Sequence, residues 1–113
     1  MTIKVEKSAQ DWFFLLQKDN PENNKVINIG LKVAGCSGFE YTLKWEKEMP
    51  DNFIFTEIDN GQSKIKIGYL SIFENNLNGL TLKYEKEGIS YKLIYDNPNV
   101  DFACGCGESI NFK

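Results

Sequence analysis

Three cysteines carry most of the chemistry that this sequence offers. Cys36 lies between glycines in the run GCSG at residues 35–38, and Cys104 and Cys106 lie in the run CGCG at residues 104–107. Residues i and i+2 of an extended chain project to the same side, so both sulfurs of the C-terminal pair can reach one metal centre. The bare amide groups of a glycine-rich loop also suit the anionic sulfurs of a cluster. The residue types and their spacing therefore predict a thiolate site for a soft metal or a metal cluster.

Each cysteine also has a simpler interpretation. A free cysteine is often a small buried hydrophobe, which is the alternative for Cys36, and Cys104 and Cys106 could be incidental thiols of a disordered tail. Two other chemistries have little support in the sequence. It has no C-x-x-C motif of the thioredoxin type. Structural zinc usually takes four protein ligands in C-x₂₋₄-C pairs, whereas this chain supplies three thiolates at a different spacing.

The composition excludes several classes of function. The chain has no histidine, so mechanisms that need an imidazole base or a histidine ligand are excluded within it. All 13 basic residues are lysines, and the absence of arginine removes the planar guanidinium fork used in specific phosphate and base recognition. We therefore expect no nucleic-acid partner. Because candidate acid–base pairs are also scarce, we expect no enzymatic activity.

Length and cysteine count bear on organisation and compartment. A chain of 113 residues fits one domain, which we expect to span residues 1–113, with residues 100–113 as a cysteine-bearing C-terminal tail. The odd number of cysteines does not resemble a secreted disulfide framework, and the first residues, MTIKVEKSAQ, lack an apolar signal stretch. No run of about 18 apolar residues occurs. The sequence therefore predicts a cytoplasmic protein without a membrane partner.

A helix and two strands precede and flank the first cysteine. Apolar residues at helical spacing predict a helix that is capped by Ser8 and ends before Pro21. Beyond it the apolar period changes to two, which predicts one strand that ends at Val33 and a second that begins at Phe39. Cys36 is thus predicted in the turn between two strands.

The rest of the chain predicts four more short strands and a tail. Alternating apolar residues predict these strands at residues 53–58, 64–67, 80–84 and 89–95. Ser71 with Glu74 predicts a single helical turn between them. Gly105 and Gly107 weaken regular structure, so we expect the tail to be flexible. The fold class is therefore mixed and mainly β (α+β), with about six short strands and one N-terminal helix.

Several runs of the sequence resemble the signature of a known family. The runs GCSGFEYTL at residues 35–43, NPNV at 97–100 and CGCGES at 104–109 are similar to motifs of the A-type iron–sulfur carriers, the IscA/SufA/HesB-like group. The interval between the first cysteine and the pair also fits. LNGLTLKY at residues 77–84 resembles the leucine-glycine stretch of that group. The resemblance implies a compact HesB-like β-sandwich whose tail pairs near a partner subunit.

The same resemblance implies a site and a function. Cys36, Cys104 and Cys106 would be the ligands of an iron–sulfur cluster, [2Fe-2S] or [4Fe-4S], which the protein delivers to recipient apo iron–sulfur proteins with the help of cluster-assembly proteins. Clusters are normally held by four thiolates, so three per chain need a second subunit or an exogenous thiol, which favours a homodimer or higher oligomer. Two alternatives stay open: a donor of mononuclear iron that uses the same thiolates, and an interaction module with inert thiols.

Overall fold

The secondary structure is mainly β with an N-terminal helix, which confirms the predicted fold class. The computed structural model describes residues 3–20, 24–33, 38–103 and 110–112. Its strands are β1 (Ile3–Val5), β2 (Val26–Val33), β3 (Phe39–Glu46), β4 (Phe53–Asp59), β5 (Lys64–Leu70), β6 (Leu80–Glu87), β7 (Ser90–Asp96), β8 (Val100–Ala103) and β9 (Ile110–Phe112). Its helices are α1 (Lys7–Lys18) and α2 (Glu74–Leu77), with a 3₁₀ turn at Ser71–Phe73 directly before α2.

The strands of the described residues number nine rather than about six. The additional strands are β1, β8 and β9, each of three or four residues. Such short segments show too little alternation to be recognised from sequence. Longer strands provide partners for β1 and β9, which pair with β6 and β3, and β8 pairs in turn with β9. Two of the three lie in the predicted tail, so the expected lack of regular structure is wrong for residues 100–103 and 110–112. Mobility of the tail stays a prediction.

The N-cap of helix α1 lies two residues before the predicted cap, Ser8. The N-cap residue is Glu6, whose side chain makes no capping hydrogen bond. Ser8 has another role, because its Oγ accepts a hydrogen bond of 3.1 Å from the backbone N–H of Tyr84 in β6. The Trp12 ring also stacks on the Tyr84 ring, with 4.7 Å between centroids. Tertiary contacts with β6 thus hold the helix where a local cap was expected.

The strands form two sheets. The three-stranded sheet has the order β1-β6-β7, and the six-stranded sheet has the order β4-β5-β2-β3-β9-β8. Within them β1 pairs with β6, and β2 with β5, in parallel, whereas the other pairs are antiparallel. The predicted β2 and β3 pair along their whole lengths, from Val26 opposite Glu46 to Val33 opposite Phe39. This long hairpin is the part of the fold that leads to the first cysteine.

Both sheets and α1 contribute to one hydrophobic core. Alternate residues of β2, β5 and β6 point inward, as the period of two predicts. Helix α1 covers them with Ala9 and Phe13, which are fully buried. The largest fully buried side chains are Tyr69, Phe13, Ile27, Ile29, Ile65, Ile67, Leu77, Leu80 and Leu82. None of the helices in the described ranges is long and apolar enough to cross a membrane.

Candidate functional site

The three cysteines of the sequence analysis, Cys36, Cys104 and Cys106, all lie outside the described residues. Within the residues that the structure describes, no group of three or more histidine, cysteine, aspartate or glutamate side chains is placed to hold a metal ion. The candidate site is therefore built from the strands that enter and leave the two cysteine-bearing segments. Those strand ends are described, and their register fixes how they lie relative to one another.

One row of paired residues joins the four strand ends. Val33, the last residue of β2, pairs with Phe39, the first residue of β3. Phe39 pairs in turn with Ile110 of β9, and Ile110 pairs with Ala103 at the end of β8. Cα atoms of directly opposed residues in antiparallel strands are about 4.5–5.5 Å apart. The backbone thus brings the ends of segment 34–38, which contains Cys36, beside the ends of segment 104–109, which contains the cysteine pair.

This end of the six-stranded sheet is open to solvent on the β2 side. The Val33 side chain is 78% exposed, although its position in the alternation is that of a core residue. One residue pair earlier, Lys32 and Glu40 form an ion pair of 2.8 Å across β2 and β3. The hydrogen bond to Glu40 and its negative charge raise the pKa of Lys32. This ion pair is exposed and adds little stability. It does engage the ammonium group of Lys32, the residue of β2 next to Val33.

A polar network that the sequence analysis did not single out lies beside β3. The Asn97 side chain is buried and donates hydrogen bonds to the Tyr41 hydroxyl, at 3.1 Å, and to the backbone carbonyl of Asn76, at 2.8 Å. Tyr41 is two residues from Phe39 and so lies on the same face of β3. The sequence signal was the run NPN at 97–99, which indicates a turn but not its long-range partners.

The ring of Tyr41, whose hydroxyl belongs to this network, packs on the ring of Tyr95. Their rings stack with 4.1 Å between centroids and 9° between planes. Burial raises the pKa of Tyr41, the hydrogen bond from Asn97 lowers it, and the charge of Asp96 raises it again. Burial, with a smaller effect of Tyr41, raises the pKa of Tyr95 to about 12. Both hydroxyls therefore stay protonated near neutral pH, and that of Tyr41 serves as the hydrogen-bond acceptor of Asn97.

Alkaline pH is expected to destabilise the fold through Tyr95. The unfolded chain releases the phenol proton near its ordinary pKa of about 10, and the folded chain releases it near 12. The stability contributed by the neutral phenol is thus complete below about pH 10 and is lost as the pH rises towards 12, by at most about 1.4 kcal/mol per pH unit. Urea unfolding across this range measures the loss. Tyr95→Phe should lose less stability than the wild type, whereas Tyr91→Phe, at an exposed tyrosine, should not differ from it. Equal losses in all three proteins would contradict the assignment to Tyr95.

A shallow depression at the other end of β2 is a less suitable site. It has a volume of about 240 Å³ and lies between the end of α1 and the β4–β5 turn, where Gln17, Lys18, Asn60 and Ser63 are among its lining residues. The side chains of Gln17 and Ser63 are already hydrogen-bonded to each other at 2.9 Å. The lining contains no soft ligand, and its one hydroxyl, that of Ser63, is the donor of this bond to Gln17, so the strand ends near the cysteines are the better candidate.

The chain is similar in sequence to proteins of iron–sulfur metabolism. Residues 1–108 match the sequence model of the family described as iron-sulphur cluster biosynthesis. A protein of Yersinia enterocolitica, named iron-binding protein IscA, is 39% identical over 85 residues, which cover 75% of this chain and 76% of that protein.

Two solved structures share the fold. The crystal structure of IscA with the [2Fe-2S] cluster superposes with a TM-score of 0.81 and 19% identity, covering 98% of each chain. The crystal structure of Escherichia coli SufA, described as involved in biosynthesis of iron–sulfur clusters, superposes with a TM-score of 0.73 and 24% identity, covering 97% of this chain and 92% of that one. At these identities the superpositions establish the fold.

Proposed function

We propose that this chain, which belongs to the A-type iron–sulfur carrier group of the iron–sulfur cluster biosynthesis family, binds an iron–sulfur cluster through Cys36, Cys104 and Cys106 and delivers it to apo-proteins. The observation that carries the proposal is the register row from Val33 to Ala103, because it joins the flanks of both cysteine-bearing segments. Residues 1–113 would act as one unit, with residues 100–113 contributing the cysteine pair.

The donor set of the chain fits such a cargo. Iron–sulfur clusters are bound by cysteine thiolates, and soft thiolates are the preferred ligands of these clusters among protein side chains. The chain offers three cysteines and no histidine, so the sulfurs are its soft ligands. Three thiolates leave a four-thiolate shell incomplete, and a second copy of the chain or an exogenous thiol would complete it. We therefore propose a homodimer or higher oligomer as the binding form.

Delivery follows from the small number of thiolates that each chain supplies to the cluster. A cluster held by few thiolates at a solvent-exposed sheet end is accessible to the thiolates of a recipient, which can replace those of the carrier one at a time at each iron. Thiolates of this kind persist in the reducing cytoplasm, where we propose that the protein acts. The partners would be apo iron–sulfur proteins and cluster-assembly proteins. No catalytic turnover is needed, so we propose a carrier and not an enzyme.

One relative favours a second candidate function. The Yersinia enterocolitica protein is named for iron binding and not for cluster binding. Mononuclear iron could be held by the same three cysteines and given up during cluster assembly. The two functions differ in inorganic sulfide, since only a cluster contains it.

Anaerobic reconstitution of the wild-type chain with ferrous iron and sulfide should yield a coloured dimer. We expect visible absorption bands, iron and acid-labile sulfide in equal amounts, and a Mössbauer spectrum of a cluster, with the mass measured by light scattering. Iron without sulfide would instead support the mononuclear donor. Protein that retains neither would contradict both functions.

A second arm of the same experiment tests delivery. The loaded protein is mixed with an apo-ferredoxin in the presence of a strong iron chelator. Direct transfer between thiolates should restore the ferredoxin spectrum despite the chelator. If the chelator takes all the iron, the cargo dissociates before it is transferred and the carrier function is wrong.

A further inference from the structure

The chain passes from one sheet to the other through three residues, 97–99. Strand β7 of the three-stranded sheet ends at Asp96, and β8 of the six-stranded sheet begins at Val100. Cys104 follows directly after the end of β8. Whatever fixes the direction of the chain at residues 97–99 therefore fixes where β8 begins, only a few residues before the cysteine pair.

The Asn97 side chain uses its hydrogen-bonding capacity fully. Its Nδ2 donates to the Tyr41 hydroxyl at 3.1 Å and to the carbonyl oxygen of Asn76 at 2.8 Å. Its Oδ1 accepts from the backbone N–H of Asn99 at 2.9 Å and from Asn99 Nδ2 at 3.0 Å. A primary amide offers two donor hydrogens and one acceptor oxygen, and here all of them are engaged. The side chain is only 9% exposed, so water competes little for these bonds.

Asn99 holds the same turn against the segment between α2 and β6. Its Nδ2 donates to the carbonyl oxygens of Asn78, at 2.8 Å, and Asn76, at 3.2 Å. Gly79, in the left-handed region at φ +86°, leaves room for the Pro98 ring, whose Cγ would lie 3.2 Å from a Cβ at residue 79. We call the side chains of Asn97 and Asn99, with the carbonyls of Asn76 and Asn78, the asparagine clasp.

The strands beyond the clasp are β8 and β9. Among the described residues, β8 pairs with β9, and β9 pairs with β3 through the single register pair of Ile110 and Phe39. The clasp joins the start of β8 to α2, and through the Tyr41 hydroxyl it joins it to β3, the strand that follows Cys36. The clasp thus connects the start of β8, which leads to Cys104, with β3, which follows Cys36.

We propose that Asn97 is a positioning residue. Through the asparagine clasp it fixes the direction in which β8 leaves the turn at residues 97–99, and so holds β8, which precedes Cys104, against β3, which follows Cys36. The inference rests on the proposed function for the identity of these thiols as ligands. The geometric claim, however, concerns the protein without cargo. It is therefore tested on the reduced, metal-free full-length chain.

Cross-linking with a short bismaleimide reports on this arrangement, because the thiols that it joins lie in the two segments that β3 and β8 flank. The reagent is added to dilute apo-protein, the product at monomer mass is isolated, and trypsin then releases Cys36 in the peptide 33–44 and the C-terminal cysteines in the peptide 93–113. The rate at which the two peptides become joined is compared among variants. Asn60→Ala is the matched control, because Asn60 Oδ1 also accepts two backbone hydrogen bonds in a turn, from Gln62 and Ser63, at the other end of the molecule.

Asn97→Ala should slow the cross-link about fivefold to thirtyfold, which corresponds to the loss of roughly one to two net hydrogen bonds. Tyr41→Phe removes only the hydroxyl contact and should slow it about twofold to fivefold, since it loses one such bond. Asn60→Ala should leave the rate unchanged. Equal rates in the wild type and Asn97→Ala would overturn the proposal. If Asn97→Ala does not fold, Asn99→Ala and Tyr41→Phe decide by the same comparison.

The cargo-loaded protein separates this inference from the proposed function. The iron and sulfide retained by each variant after anaerobic reconstitution should fall in the same order as the cross-linking rates. A wild-type chain that retains no iron, combined with a slower cross-link in Asn97→Ala, would contradict the proposed function and support the clasp. If Asn97→Ala instead cross-links at the wild-type rate and the wild type retains normal iron, the clasp is contradicted and the proposed function is supported.

Discussion

Serine in place of any one of Cys36, Cys104 and Cys106 is expected to remove most of the bound iron and sulfide while the protein stays folded. The hydroxyl keeps the shape of the side chain but is a far poorer ligand for iron than a thiolate, because it is hard and barely acidic. Outer-shell partners of a metal site alone are worth about 10–100-fold in affinity, so loss of a direct ligand should cost at least that much. Iron and sulfide per chain after anaerobic reconstitution are the measurement.

The controls for these variants separate ligand loss from unfolding. Ser37→Ala and Ser109→Ala change residues in the same two segments without removing a sulfur, and should retain the cargo. The core of the described residues is formed by strands and helices, so the apo-protein should show a cooperative, β-rich melt after chelation. A Cys104→Ser variant with undiminished iron and sulfide would refute the three-cysteine site. An unstructured apo chain would instead mean that folding depends on the metal, as in zinc fingers.

The long strands were predictable because their side chains alternate over many residues. In β2, Ile27 and Ile29 are buried whereas Asn28 between them is partly exposed, and the pattern alone identifies the core face. The strands that escaped prediction, such as Ile3–Val5, are too short to show a period. Their existence depends on a neighbour far along the chain, since β1 pairs with β6 at Leu80. No local propensity encodes that pairing.

The chemistry of the candidate site was predictable from the sequence, but the pairing of the strands that flank it was not. Residue types and spacing indicated a thiolate site at Cys36, Cys104 and Cys106, and these residues stay a prediction because they lie outside the described ranges. The pairing of Phe39 with Ile110 follows from sheet topology, which depends on every strand between them. The bond from Asn97 to Tyr41 likewise joins residues 56 positions apart. Such contacts are properties of the folded chain, and a sequence pattern of local period cannot reveal them.

Gly68→Ala is expected to cause a large loss of stability although it adds only one methyl group. Gly68 is buried in β5, opposite Phe55 of β4. A Cβ at this position would overlap the carbonyl oxygen of Ile54 and lie 2.7 Å from the Cα of Phe55. Both are backbone atoms of a paired strand, so no side-chain rotation relieves the overlap and β4 must move away from β5. We expect a loss of about 3 kcal/mol or more, a large part of the roughly 5–15 kcal/mol available to a domain.

Gly30→Ala provides the matched control, because Gly30 is also a buried strand glycine of the six-stranded sheet. Its added Cβ would lie 2.8 Å from Thr42 Oγ1, the movable end of a side chain, and 3.8 Å from the Phe73 ring. Rotation of Thr42 can relieve that contact, so the loss should be below about 1.5 kcal/mol, near that of a tolerated volume change. Thermal melts of the apo-proteins should place Gly68→Ala more than about 10 °C below the wild type and Gly30→Ala between the two. If Gly68→Ala melts within a few degrees of the wild type, β4 can shift at little cost, and the close approach at Gly68 does not fix the position of that edge strand.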